Sequence, residues 1–591
     1  MINQKPPTFP DLLDVIIIGA GPCGLAVAAR LQEETPSAMF TDEEHQRYHW
    51  INKHSGRMAL VRAHNKRIRG VKAEKWHGGN GSGNTRSKDT STHTRSSSSP
   101  SSSISTLVLD SSGNRWMERW NRLFRILEIE HLRSPMFFHV DPGDRDGMLA
   151  YTRETGREEL GKDLWEIPGC VGKELSKHKQ RKKQKQRQAR RGFKSAEAVK
   201  EVQIDERDRK DYFSPSAKLF ADFCSAIASR YSLDLPDQIH QCEVSDIEYS
   251  VHPDLSPSTY HGNNRDDNDN RIFTITTNGG IRFYARAVVL AIGPGSGPAS
   301  ANPKNFPWEL SSEEKMGACH AMEIKLIPSK TVQDKIRRHE GTNVVVVGGG
   351  LTSAQIADIA VRRGVRKVWF LLRSGIKVKH FDIDLTWMGK FKNYEKAAFW
   401  SADTDEERLE MIKVARNGGS ITPTYHKILK QHVHDGRLSI HTHTTITDHK
   451  YCPETQTWQL TTNPPIPDLP PIDYIYFATG VKTDVTELPL LRRMQDEYPI
   501  ETKEGLPCLT DDLMWRSDVP LFLTGRLAAL RLGPGAPNLE GARLGAERVA
   551  WGLEEVLGGS RDADHDDDSR ILKSRECFCG LGNRYAGLSE S

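Results

Sequence analysis

The sequence predicts an α/β protein carrying two Rossmann-like dinucleotide-binding domains on parallel sheets. Three observations predict it. Apolar runs of strand length alternate with amphipathic helical stretches, as in DVIII followed by LAVAARLQEE. Two such runs, at 14–18 and 343–347, end in glycine-rich turns. The segments DVIIIGAGPCGLAVAARL (14–31) and NVVVVGGGLTSAQIADIA (343–360) also resemble each other, so the chain carries the same nucleotide-binding unit twice.

A length of 591 residues suits two or three domains, and a hydrophobic fraction of only 37% implies that part of that length is polar insertion rather than core. The Gly/Ser/Thr-rich stretch 77–106, the basic stretch 173–194, the polar stretch 252–270 and the tail 557–591 have little to bury and read as disordered. Between them we expect a first domain over 11–300, a second over 311–465 and a return to the first over 466–556. The net charge is +4, but 173–194 alone holds eleven Lys/Arg and one acid, leaving about −6 elsewhere. The basic character therefore belongs to one segment and does not imply nucleic-acid binding. Arg181 to Arg191 would suit nuclear import, or simply a solvated loop.

Nine cysteines are scattered without paired spacing, and no apolar leader segment stands before them, which fits a reducing, cytoplasmic setting. No apolar run approaches the roughly 20 residues of a membrane helix. His432 and His434, or His441 and His443, alternate as in a solvent-facing strand and lack zinc spacing, so no metal is expected.

In the first unit Gly19 permits the tight turn, Gly21 allows a pyrophosphate to approach the backbone, and Gly24 permits close helix–strand packing. A following run, AMFT, reads as the next strand and delivers Asp42 and Glu43 to accept from a ribose diol. The second unit offers Gly348 and Gly350, with Ser353 replacing the third glycine. Its next strand, VWFLL, ends at Arg373, a guanidinium suited to a 2′-phosphate, which favours NADPH over NADH.

Two such units, with strand ends ARAVVLAIGPGSG (285–296) and DYIYFATGVKTD (473–484) and a closing segment at 519–553, resemble the two-dinucleotide-binding flavoprotein superfamily. That resemblance implies FAD on the first unit. It implies that both A-x-G strand ends, the second including Gly480, lie beside the flavin as the chain returns to the first domain. It further implies that Gly525 approaches the ribityl chain and that amides around Asn538 and Leu539 face the pyrimidine edge. Arg526 stands where many relatives have Asp.

No CxxC or CxxxxC pair is present, as the disulfide reductases need. The triple-glycine turn, Leu372-Arg373-Ser374, and Cys319-His320-Ala321 are similar to the N-hydroxylating flavin monooxygenases of ornithine/lysine type. TLVLDSSG (106–113) and LEIEHLRSPMFFHVDP (127–142) are similar to the oxidative stress-induced growth inhibitor family. The first resemblance implies hydroxylation of a small nucleophilic substrate, an amine for example, by dioxygen through a flavin hydroperoxide. The alternatives are an NADPH oxidase or reductase releasing peroxide, or a regulatory flavoprotein. His320 is the one candidate near the nicotinamide, set against an ordinary satisfied histidine. Asp382, Asp384 and Trp387 would hold an amine, or form a plain surface loop.

Overall fold

The computed structural model describes residues 12–33, 36, 38–39, 104–167, 212–251, 271–293, 310–388, 392–481 and 483–558. The stretches 77–103, 173–194, 252–270 and 559–591 lie outside the described residues. Thr106, placed above in an insertion, opens a strand, and the closing helix runs to Gly558 rather than stopping before 557.

Strand β1 (Leu13–Ile18) passes through the first glycine turn into helix α1 (Pro22–Gln32). There follow β2 (Thr106–Asp110), α2 (Ala217–Arg230), β3 (Ile239–Gln241), β4 (Val244–Val251), β5 (Arg271–Thr277) and β6 (Arg282–Leu290). The chain next forms β7 (Ala318–His320), β8 (Asn343–Val347), α3 (Leu351–Arg362), β9 (Lys367–Leu372), α4 (Lys392–Trp400), α5 (Asp405–Arg416), α6 (Pro423–His434), β10 (Leu438–Thr442) and β11 (Tyr474–Phe477). It ends with β12 (Met514–Arg516), β13 (Val519–Leu523) and α7 (Leu539–Gly558).

The strands assemble into two main sheets. The first runs β12-β13-β6-β1-β2-β3 and is parallel from β13 to β3, with β5 and β4 added by antiparallel pairing from β6. The second, β10-β9-β8-β11-β7, is parallel throughout. Parallel strands are covered on both faces, which explains their unbroken apolar runs. Val15 to Ile17, Ala287 to Leu290 and Val344 to Val346 are wholly buried.

The first domain is discontinuous because β13, more than 200 residues after β6, pairs beside it, with Leu521 opposite Val288 and Leu523 opposite Leu290. The closing helix α7 packs on α1, where the Arg30 guanidinium grips the Glu547 carboxylate through two bonds of 2.7 and 3.0 Å. Both side chains are buried, 7% and 8% exposed, so this ion pair ties the two ends of the domain together in low dielectric.

Two expectations need correction. The strand beside β1 is β2, with Ile18 opposite Leu109, whereas AMFT was read as that strand. Asp42 and Glu43 lie outside the described residues. The long insertion separates α1 from its partner strand, so counting about 20 residues past the last glycine stops too early. The second correction concerns 473–484, which was assigned to the return: β11 pairs with β8 and β7 inside the second sheet. The second domain therefore extends past 465 to about Gly480, and the first sheet resumes at β12.

Candidate functional site

The two glycine turns lie at the carboxyl edges of their sheets, each on a strand flanked on one side by the next strand of its own unit and on the other by a strand from much later in the chain: β2 and β6 flank β1, β9 and β11 flank β8. In open α/β sheets that switch point is where ligands bind. Gly19 has φ +113, and a Cβ there would lie 2.4 Å from the Ala291 carbonyl oxygen. Gly348 has φ +143, and its Cβ would lie 2.3 Å from the Ala478 carbonyl oxygen. The two A-x-G strand ends thus do the same thing in each domain: each presses its alanine carbonyl against the first glycine of a turn.

The third positions share their spacing and differ in residue. A Cβ on Gly24 would lie 2.0 Å from the Gly19 carbonyl oxygen, so only glycine fits. Ser353 is fully buried, and its hydroxyl donates to the Gly350 carbonyl at 2.6 Å. The middle glycines behave in the opposite way: a Cβ on Gly21 or Gly350 would meet nothing within 4 Å. These two residues are also the N-caps of α1 and α3, without side-chain cap bonds and without acids in the first turn. By contrast, Ser216, Thr404 and Thr422 cap α2, α5 and α6 with side-chain oxygens. Open space before an uncapped helix N-terminus is the arrangement a phosphate needs.

Asp110, at the end of β2, is a site residue that the sequence reading missed. Its carboxylate accepts from Ala20 N–H at 2.7 Å and from Ser112 N–H at 2.6 Å, so the acid braces the first turn from the adjacent strand. The signal was present in the apolar run TLVLD, which ends in an acid. Asp110→Ala should strip the turn of a charge-assisted bond and weaken flavin retention by about 1.5–3 kcal/mol, with Asp110→Asn in between. Flavin content after dilution and gel filtration checks this.

Arg373, one residue beyond β9, is exposed. Gly525, at φ +67, sits where a Cβ would be 3.2 Å from the Cys23 sulfur, so the closing segment lies directly on the first turn. Burial pushes the Cys23 thiol up to about 11, which keeps it protonated and unreactive. Arg526 donates to the Val481 carbonyl at 3.1 Å, fastening the closing segment to the loop after β11. Gly480, at φ +83, ends that strand in open space.

His320 does not stand free as an acid or base. Its Nδ1 accepts from Met322 N–H at 3.3 Å, so the ring proton lies on Nε2, which donates to the Gly480 carbonyl at 3.1 Å. Nε2 thus ties β7 to the end of β11, while Nδ1 caps the short turn Ala321–Glu323 that follows β7. Burial lowers its pKa below the ordinary 6.5, with the Gly480 bond opposing. A histidine kept neutral in the fold contributes fully above about pH 6.5, and its contribution falls as pH drops below that value, where only the unfolded chain takes up the proton. His320→Asn should therefore flatten the acid limb of a melting-temperature profile.

Asn538 also departs from expectation, since its own amide donates to the Gly535 carbonyl at 2.9 Å. Leu539 is the buried first residue of α7. The Asn538 side chain donates to Asp382 at 3.0 Å, and Asp382 also pairs with Arg416 at 2.9 Å. Asp384 pairs with Lys379 at 2.9 Å, and Trp387 is buried edge-on to Phe399. Both carboxylates are thus already ion-paired within the fold. Arg133, in the HLRSP stretch, is a further residue missed: it donates to the carbonyls of Lys379, His380, Phe381 and Ser420 and ties that loop in place. His432 and His434 lie on α6 and not on a strand, and His432 is bound to Asp358 at 2.8 Å.

No protein-family model and no curated protein matches this chain. Solved structures do. The ornithine hydroxylase of Pseudomonas aeruginosa, in its reduced form, superposes with a TM-score of 0.52 at 14% identity, over 93% of this chain and 100% of that one. The ornithine N-hydroxylase of Kutzneria sp. 744, solved with reduced FAD, NADP+ and L-ornithine, gives 0.53 at 13% identity, over 92% and 99%. The fold is that of the ornithine hydroxylases. Among the described residues, no helix is long and apolar enough to cross a membrane.

Proposed function

We propose that this chain is an FAD-dependent oxidoreductase that takes its electrons from NADPH and acts as a monooxygenase on a small nucleophilic substrate, an amine in the nearest reading. The observation that carries the proposal is the matched pair of turns: Gly19, Gly24 and Gly348 are packed against backbone carbonyls while Gly21 and Gly350 face open space before uncapped helices. Two anionic dinucleotides fit such residues. The Kutzneria enzyme of the same fold holds reduced FAD and NADP+ with an amine-bearing substrate, which supports assigning one cofactor to each turn.

Bound FAD would supply hydride acceptance from the nicotinamide and, once reduced, reaction with dioxygen. The chain's own part is binding and exclusion of water. Gly19, Gly21, Gly24 and Asp110 would seat FAD on the first turn. Gly348, Gly350 and Ser353 would seat NADPH, with Arg373 at the strand end available to a 2′-phosphate. Gly525 keeps the backbone slim beside Cys23 of the first turn, and Gly480 would leave room for a cofactor at the end of β11.

The test is direct. The purified chain should show a flavin spectrum, oxidise NADPH in air, and form hydroxylated product from a set of primary amines. Peroxide equal to all NADPH consumed, for every amine, would replace the monooxygenase with an oxidase. A chain without flavin would remove the proposal. Arg373→Ala should narrow the preference for NADPH over NADH by about 1–3 kcal/mol, the scale of a charge-assisted contact, read from flavin reduction rates at low coenzyme.

A further inference from the structure

Arg543, on α7, is 8% exposed, yet of its guanidinium donors only Nη2 reaches a carbonyl, that of Phe137 at 3.2 Å. Its Nε is buried with no acceptor. Its Nη1 lies 3.4 Å from Nε2 of the wholly buried His139. That contact is no hydrogen bond: His139 Nδ1 accepts from Asp141 N–H at 3.2 Å, so Nε2 carries the proton and donates to the Arg145 carbonyl at 2.8 Å. Two N–H groups therefore face each other.

The surrounding charge is unbalanced. Glu540 is occupied by Lys396 at 2.5 Å, and Asp141 by Arg230 at 2.8 Å. Among the described residues neither Arg543 nor Lys392 has an ion pair. Burial, and then the charges of Lys396 and Arg145, press the Lys392 ammonium down to about 8. Burial and then Arg145 act on Arg543 in the same direction, opposed by the charges of Glu540, Asp141 and Asp146, none of which forms an ion pair with it. A buried guanidinium with an unsatisfied donor and no contacting carboxylate is costly, and such a group calls for an explanation, a bound anion being one.

We propose that Arg543 and Lys392, with Arg145 beside them, form a buried oxyanion site that takes a phosphate or carboxylate group of a small molecule. No partner named for Arg543 belongs to either glycine turn, and we take the site as separate from the dinucleotide cradles. Guanidinium and ammonium together suit an anion that accepts a forked bond from one and a point charge from the other.

The full chain is melted with inorganic phosphate, with succinate, and with sodium chloride at matched ionic strength. At least one oxyanion should raise the parent's melting temperature above the chloride curve, and its half-effect concentration should rise at least about tenfold in Arg543→Met and in Lys392→Met. Without oxyanion, Arg543→Met should be as stable as the parent or more so, because the substitution removes an uncompensated buried charge. If Arg543→Met does not fold, the half-buried Lys392→Met carries the comparison. Response to phosphate alone assigns a phosphate-bearing ligand; response to succinate alone assigns a carboxylate. Parent curves that coincide with chloride, or variants that respond like the parent, overturn the site. Loss of bound FAD in both variants would place the cluster in the cofactor cradle and overturn its independence. NADPH oxidation is read on the same samples, so failure of the proposed activity is seen separately.

Discussion

Gly21→Val should abolish stoichiometric flavin binding while leaving the melting temperature of the flavin-free protein nearly unchanged. The two halves of this result have separate causes. Gly21 has φ −83 and ψ −170, an extended conformation any residue adopts, and a Cβ there touches nothing within 4 Å. The fold therefore tolerates valine. The branched side chain would instead occupy the space before α1, where a pyrophosphate would receive the helix N–H groups. Gly24→Ala is the contrast, because its primary effect should be on stability. Its Cβ would fall 2.0 Å from the Gly19 carbonyl oxygen, which forces α1 off β1 at about 3 kcal/mol, the upper end of ordinary overpacking. Flavin content by absorbance and stability by denaturant titration separate the two. A Gly21→Val protein retaining one flavin per chain would disprove the assignment of the first turn.

Glu547→Ala should destabilise the first domain by about 3–5 kcal/mol, because Arg30 would keep its charge in a buried place with no carboxylate to meet it. The Coulombic pull and hydrogen bonds of Glu547 outweigh the burial that would lower the Arg30 pKa, so the guanidinium stays charged. The same residue accepts from Trp551 Nε1 at 3.1 Å, so that donor is lost as well. Replacing both partners, Arg30→Met with Glu547→Leu, should recover most of the loss, since an apolar pair of similar volume fills the α1–α7 contact without desolvating charge. Urea unfolding of the single and double variants measures this. If the single substitution costs under about 1 kcal/mol, the pair behaves like a surface salt bridge and does not hold the two ends of the domain together.

Periodicity and turn chemistry were enough for the sequence by itself to determine the two strand–turn–helix units. Buried parallel strands must be continuously apolar, and a tight turn against a neighbouring carbonyl must be glycine, so β1, β8, Gly19, Gly24 and Gly348 were legible as letters. The oxidoreductase reading rests on those same residues. Strand neighbours were not legible, because pairing is a long-range choice that local pattern does not encode. AMFT and TLVLD both read as short apolar runs, and only the sheet shows that β2 at 106–110 lies beside β1 and that Asp110 braces the turn. The ATG strand was likewise recognised by its motif, yet pairing with β8 places it in the second domain. Side-chain partners were decided later still: His320, Asp382 and Asn538 are polar letters compatible with chemistry, and tertiary structure commits each to holding the fold. The reverse holds for Arg543, an unremarkable helix residue in sequence, whose missing counter-ion appears only when α7 is buried against His139 and Phe137. Whether a charge is paired depends on what surrounds it in space, and that is settled by packing.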